Sequence, residues 1–137
     1  MKKMINLAFI YGIVAMVAGV FYREFTKFND FVGVTALGKM HGHFLMLGTF
    51  FILILALLSQ HLKLQEQKGF NTAFLTYNIG LIWMEVMFLV RGIVEVLNIE
   101  VSSGINAAIS GVAGIGHILL GVGFVLIFLK LKKAAIN

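Results

Sequence analysis

The chain has 137 residues, of which 60% are hydrophobic and 12% charged, and its formal net charge is +5. A soluble domain carries about a quarter charged residues, so this composition excludes an ordinary soluble domain and predicts an integral membrane protein. Because the chain contains no cysteine, disulfides, thiolate metal sites and iron–sulfur clusters are also excluded.

The apolar residues fall into four blocks, at residues 4–22, 37–58, 70–97 and 105–129. A bilayer core of about 30 Å is crossed by about 20 helical residues, and each block is that long. The connections between the blocks are too short to hold a soluble domain. We therefore predict an all-α fold, an integral membrane four-helix bundle, with residues 1–137 forming a single transmembrane domain in contact with membrane lipid.

The basic residues between the apolar blocks and at their ends predict the orientation of the bundle. Seven would lie on one side of the membrane and three on the other: Lys2, Lys3, Lys63, Lys68, Lys130, Lys132 and Lys133 against Arg23, Lys27 and Lys39. The positive-inside rule then places both termini in the cytoplasm, as in a multi-pass protein of the bacterial cytoplasmic membrane. The basic residues are not interleaved with aromatic ones, so nucleic acid is not an expected partner.

The second block opens with two histidines, in the stretch KMHGHFLMLGTFF at residues 39–51. His41 and His43 are separated by roughly 200° around a helix, so they point to opposite faces. His43 shares its face with Met46. The two imidazoles are either ordinary polar groups in the headgroup zone or groups that hold ligands in two separate directions.

The third block carries Glu85, Arg91 and Glu95 within an apolar helix. Charged residues at such depth are rare and indicate function. Arg91 can pair with Glu95, four residues away on the same face, or it can form a forked hydrogen bond with a carboxylate of a ligand. Glu85 is expected to be protonated and hydrogen-bonded to Asn78 or to another polar neighbour.

The fourth block places His117 about 18 Å along its helix, which is mid-membrane. Its face is lined by small residues: Ser110, Ala113, Gly114 and Gly121. These either allow close helix packing or leave room for a flat ligand beside the imidazole. The segment GHILLG at residues 116–121 echoes GHFLMLG at residues 42–48, which would be consistent with a decayed repeat of two helix pairs.

Together these features predict a haem b-binding protein for electron transfer or for redox or gas sensing. His43 and His117 would hold the iron from opposite sides, with His41 as a further candidate ligand, and Arg91 would face the propionates. A quinone or another redox partner would then exchange electrons with it. Alternatively, copper or zinc binds to His41, His43 and a Glu or Met, or the chain is a transporter or accessory subunit without haem. The sequence contains no nucleophile–base pair and no phosphate loop, so whether it is an enzyme stays open.

Several stretches resemble the domain-of-unknown-function family 2871, which consists of short four-helix bacterial membrane proteins. They are FIYGIVAMVAGVFYREFTKF, LGKMHGHFLMLGTFF, YNIG, RGIVEVL and AAISGVAGIGHILLG, and they span nearly the whole chain. This resemblance implies a four-helix membrane fold and no particular activity.

The stretch HGHFLMLGTFF is also similar to the His-x-His helix in the catalytic subunit of haem–copper oxidases. In that helix the two histidines serve different haems on opposite faces, which implies that His41 and His43 are axial ligands. The copper-binding histidine pair and the His–Tyr motif of those oxidases are missing, so oxygen reduction is not implied. Four helices form a thin bundle that would not cover both edges of a porphyrin while keeping Glu85 and Arg91 away from lipid, where a charge is costly, so we expect a homo-oligomer. The oxidase subunit arranges twelve helices as three four-helix arcs, and this resemblance favours a trimer over a dimer.

Overall fold

A computed structural model describes residues 1–136. Within this range the chain forms four long helices and no strand: α1 (Lys2–Phe28), α2 (Leu37–Leu62), α3 (Phe70–Val96) and α4 (Ser103–Ile136). The predicted all-α four-helix architecture is confirmed. α1 and α4 extend beyond the apolar blocks because their flanking residues include good helix formers and the chain has no proline to end a helix.

Three of the helices, α1, α2 and α4, are long and apolar enough to cross a membrane. α3 has the same 27 residues as α1, but it carries the three charged residues of the third block and contributes the most buried side chains. The prediction that α3 also crosses the membrane therefore rests on its length.

The helices end at residues with left-handed backbone conformations. Lys63 has φ 46° immediately after α2, and Asn98 has φ 48° after α3. Gly69 precedes α3 at φ 82°, a conformation that glycine adopts without the penalty of a Cβ atom. These residues turn the chain back, so consecutive helices run antiparallel.

Small residues bring the helices together as two hairpins. In the first, a Cβ atom at Gly48 of α2 would lie 2.7 Å from the ring of Tyr11 on α1. In the second, α3 and α4 touch through Gly80, Gly116 and Gly123, where an added Cβ atom would collide with the facing backbone. α2 and α3 join the two hairpins, and α4 packs almost entirely against α3. α2 and α4 meet at the ring of Phe51, whose centroid lies 5.5 Å from that of Phe124, and the part of this side that carries His43 and His117 is open.

α2 contains a π-helical stretch, Phe44–Phe50, which begins directly after His43. The wider turn changes the hydrogen bonding of the backbone, and the hydroxyl of Tyr77 on α3 donates to the carbonyl oxygen of Leu47 at 2.9 Å. The absence of proline predicts no kink in this helix, but it does not predict this change of helical type.

Candidate functional site

His43 of α2 and His117 of α4 both contact one aromatic ring of α3. The imidazole of His43 lies edge-on to Phe88 at 5.2 Å between ring centroids, and that of His117 at 5.8 Å. We call these three residues the His–Phe–His cluster. The cluster lies on the open side of the bundle, where His117 is exposed and His43 is half-buried. Because both histidines contact Phe88, His117 lies at the same depth in the bundle as His43. The number of residues between His117 and the start of its own helix did not predict this shared depth.

Backbone carbonyl groups determine which nitrogen of each imidazole carries the proton. Nδ1 of His43 lies 2.8 Å from the carbonyl oxygen of Lys39, and Nδ1 of His117 lies 3.1 Å from that of Ala113. A carbonyl oxygen only accepts, so Nδ1–H donates and Nε2 keeps its lone pair. This is the arrangement that orients a histidine for binding a metal through Nε2.

His41 points away from the cluster, towards α1. Its Nδ1 lies 2.8 Å from the carbonyl oxygen of Ala15, and a Cβ atom at Gly19 would lie 3.1 Å from that nitrogen. The predicted divergence of His41 and His43 is thus visible as contacts with different helices. The structure does not bring these two histidines together around one ion. Within residues 1–136 no three His, Cys, Asp or Glu side chains group in a way that could hold a metal ion.

Two basic side chains, Lys39 and Arg91, adjoin the cluster. The Nζ atom of Lys39 lies 5.6 Å from the centroid of Phe88, close enough for a cation–π contact. Lys39 and Arg91 line the same cavity of about 310 Å³. Lys39 also lines a cavity of about 420 Å³ that includes His43 and Met46.

The predicted pair of Arg91 and Glu95 is wrong. Arg91 instead donates to the side-chain oxygen of Asn106 and, at 2.7 Å, to the hydroxyl of Ser110, both on α4. Glu95 accepts from the backbone N–H of Ala36 at 2.7 Å. The two side chains diverge because partners on neighbouring helices replace the partner one turn away. Arg91 is held beside α4, and Glu95 satisfies a donor at the start of α2.

The small residues of α4 divide into two sets with different surroundings. Gly116 and Gly123 pack against α3, whereas a Cβ atom at Gly114 or Gly121 would meet nothing within 4 Å. Of the two alternatives for these glycines, close packing within the chain is therefore not seen at Gly114 and Gly121, and their use as room for a flat ligand stays a prediction. Gly42 on α2 is open in the same way. These glycines leave room beside the histidines.

The expected bond between Glu85 and Asn78 is absent from the described part of the chain. Asn78 accepts from the hydroxyl of Tyr11 at 2.8 Å and donates to the carbonyl oxygen of Phe74 at 2.7 Å. Glu85 is 2% exposed, and neither of its oxygens has a hydrogen-bond partner within residues 1–136.

Sequence reasoning missed Lys39 and Phe88 as members of the site. Lys39 could have been found, since it precedes His43 by four residues and shares its helix face. Phe88 carries no such signal, because it is one of 13 phenylalanines and only the packing of three helices distinguishes it.

Comparisons with known proteins identify a family but no activity. No curated protein and no solved structure matches the chain. One family model, described as "Protein of unknown function (DUF2871)", matches residues 1–134. Since the match covers nearly the whole chain and agrees with the four-helix architecture, the chain belongs to the DUF2871 family.

Proposed function

We propose that this chain binds haem b in the bacterial cytoplasmic membrane, for electron transfer or for redox or gas sensing. One observation carries the proposal. His43 and His117, from two different helices, contact the same Phe88 ring on an open face, and a carbonyl group holds Nδ1 of each imidazole. Each Nε2 is thereby left as a potential iron ligand.

The surrounding residues fit a porphyrin in both shape and charge. Gly42, Gly114 and Gly121 present no side chain at the face where a flat ring would lie, and Met46 adds a flexible apolar side chain next to His43. Lys39 and Arg91 would pair with propionates, since Arg binds carboxylates in a forked geometry.

Haem supplies a reversible one-electron change at its iron, whose potential depends on the axial ligands and on burial. The chain's own contribution would be to orient the two imidazoles through the carbonyl groups of Lys39 and Ala113. Phe88 would hold both imidazoles at their edges, and the electron partner would be a quinone or another redox protein.

We further propose that the protein is a homo-oligomer, with a trimer favoured over a dimer. α4 packs almost entirely against α3, so the face with His117 is open in a single copy. A neighbouring copy would cover that face and the edges of the ring. The preference for three copies rests on the resemblance of α2 to the oxidase helix.

The absorption spectrum of the purified protein tests the haem proposal. The protein is produced in haem-sufficient cells, extracted in mild detergent and examined before and after reduction. We expect a Soret band and a sharp α-band on reduction, and an alkaline pyridine extract that identifies haem b. The matched control is the double variant His43→Ala/His117→Ala, which should be colourless.

A colourless wild-type protein that also fails to take up added hemin would overturn the proposal. If that colourless protein instead bound copper or zinc through its histidines, the transition-metal alternative would replace it. If the protein bound neither haem nor a transition metal, the remaining alternative would be a transporter or an accessory subunit.

A further inference from the structure

Glu85 is a carboxyl group buried within the bundle without a partner. It is 2% exposed, and none of residues 1–136 donates a hydrogen bond to either oxygen. The one salt bridge within the same range joins Arg23 and Glu24, so no cation compensates a charge on Glu85. An unpaired buried carboxylate is strongly unfavourable, and such a group instead holds a proton.

Three polar positions, which we call the polar line, lie on one face of α3 from Glu85 towards the end of the bundle that carries Lys2 and Lys3, with Phe74 and the fully buried Leu81 between successive members. Asn71, Asn78 and Glu85 recur at seven-residue intervals on α3, so they lie on one face, about 10.5 Å apart along the axis. Asn71 lines a cavity of about 570 Å³ together with Lys2 and Lys3. Asn78 is 8% exposed and accepts the hydrogen bond from Tyr11.

The opposite end of this face is closed by buried side chains, among them Thr35, whose hydroxyl group donates to the carbonyl oxygen of Gly92 at 3.2 Å. The next position seven residues on is Gly92, where an added Cβ atom would lie 2.5 Å from Leu37 Cγ. Leu37 is fully buried, and Val96 is 5% exposed. The polar line therefore opens towards one end of the bundle only.

We propose that Glu85 is a proton-binding site inside the membrane domain, reached from the end that carries Lys2 and Lys3 through Asn71, Asn78 and Tyr11. The ligand is the proton itself, and water that enters transiently between these side chains would carry it from the cavity at Asn71 to Glu85. This site does not depend on haem, since none of its residues belongs to the His–Phe–His cluster.

Few other titratable groups face the interior. The buried ones are Tyr11 on α1 and Tyr77 on α3, while the buried residues of α4 are Gly116, Gly123 and Ile127. His41 on α2 and Arg91 and Glu95 on α3 are half-buried. The hydroxyl groups of both tyrosines already donate, to Asn78 and to the carbonyl oxygen of Leu47. Glu85, Glu95 and His41 are therefore the groups whose protonation must be told apart.

Infrared spectroscopy of the full-length protein in lipid nanodiscs, without added haem, tests the inference. A protonated carboxyl group has a C=O stretching band that neither imidazole nor carboxylate shows. We expect the wild type to show this band at neutral pH and Glu85→Gln to lose it, while Glu95→Gln and His41→Ala keep it. The band should shift on transfer into D₂O, at a rate that reports access to water.

Asn78→Leu should slow that shift by about tenfold or more, because a positioned polar group typically speeds proton transfer by at least that factor. Thr76→Val is the matched control, since its hydroxyl group bonds to Thr72 in the preceding turn of the same helix and lies off the polar line. Circular dichroism verifies that each variant is folded.

Two results would overturn the proposal. One is an unchanged carboxyl band in folded Glu85→Gln, which means that Glu85 holds no proton. The other is equal exchange in wild type and Asn78→Leu, which means that the polar line is not the path. The wild-type band alone decides the first point if Glu85→Gln fails to fold, since its absence contradicts the proposal. Neither result bears on haem binding.

Discussion

At the scale of single residues, the orientation of the histidines matters more than their number. Of the four histidines, His43 and His117 contact Phe88, His41 contacts α1, and His61 is exposed at the far end of α2. A substitution at each position should therefore have a different effect on a bound haem.

We expect His43→Ala or His117→Ala to convert a low-spin haem spectrum to high-spin, or to abolish binding, because each removes one axial nitrogen. His61→Ala should leave the spectrum unchanged, and His41→Ala should have a smaller effect than the first two. Absorption and electron paramagnetic resonance spectra distinguish the spin states. Low-spin spectra in both of the first two variants would show that the axial pair is assigned wrongly.

Part of this site could be predicted from the sequence. The period of the α-helix separated His41 from His43, and the depth of Arg91 and Glu85 marked them as unusual. The partners of Arg91 were wrong because spacing describes neighbours within one helix, whereas Asn106 and Ser110 approach from α4. Phe88 was missed for the same reason, since its role depends on how three helices pack.

At the scale of the helices, α4 carries two sets of glycines. One set packs against α3, and the other lies on open surface. Sequence spacing alone could not separate them, because both sets recur at intervals typical of helix contacts. The apolar blocks predicted four helices, but they underestimated α1 and α4 because helix formation continues beyond the apolar stretch.

Gly123→Ala should lower the free energy of unfolding by about 1–3 kcal/mol, the usual cost of overpacking, because the new methyl group collides with the backbone of Tyr77. Gly121→Ala, two residues away, meets nothing within 4 Å and should stabilise the helix by up to about 1 kcal/mol. Unfolding in mixed micelles, followed by circular dichroism, measures both. Equal destabilisation by the two changes would contradict this account of α3–α4 packing.

At the scale of the whole molecule, the bundle has two distinct ends. One carries most of the basic residues, and the other carries the connection between α1 and α2, where Val32 is 98% exposed. We propose that the basic end faces the cytoplasm.

The absence of cysteine makes this orientation directly measurable by single-cysteine labelling. In intact cells, a membrane-impermeant maleimide should label Val32→Cys, and it should label Lys133→Cys only after the membrane is permeabilised. Labelling of Lys133→Cys in intact cells would show that the orientation is the opposite of the proposed one.

The assembly prediction follows from the open side between α2 and α4. Native mass spectrometry from mild detergent should show a homo-oligomer, with three copies as the main species. The haem content of each species indicates whether the site needs its neighbour. A haem-loaded monomer as the sole species would rule out a site shared between copies.

The π-helical stretch Phe44–Phe50 lets α2 hold one extra residue without changing the direction of its histidines. A π turn accommodates one residue inserted into an α-helix, whereas the same residue in an unbroken α-helix would rotate everything beyond it by about 100°. The two parts of α2 therefore keep nearly the relative directions of an α-helix that is one residue shorter. A homologue that lacks one of these seven residues could thus close the π turn and keep the His–Phe–His cluster, so a one-residue alignment gap here does not by itself indicate loss of the site.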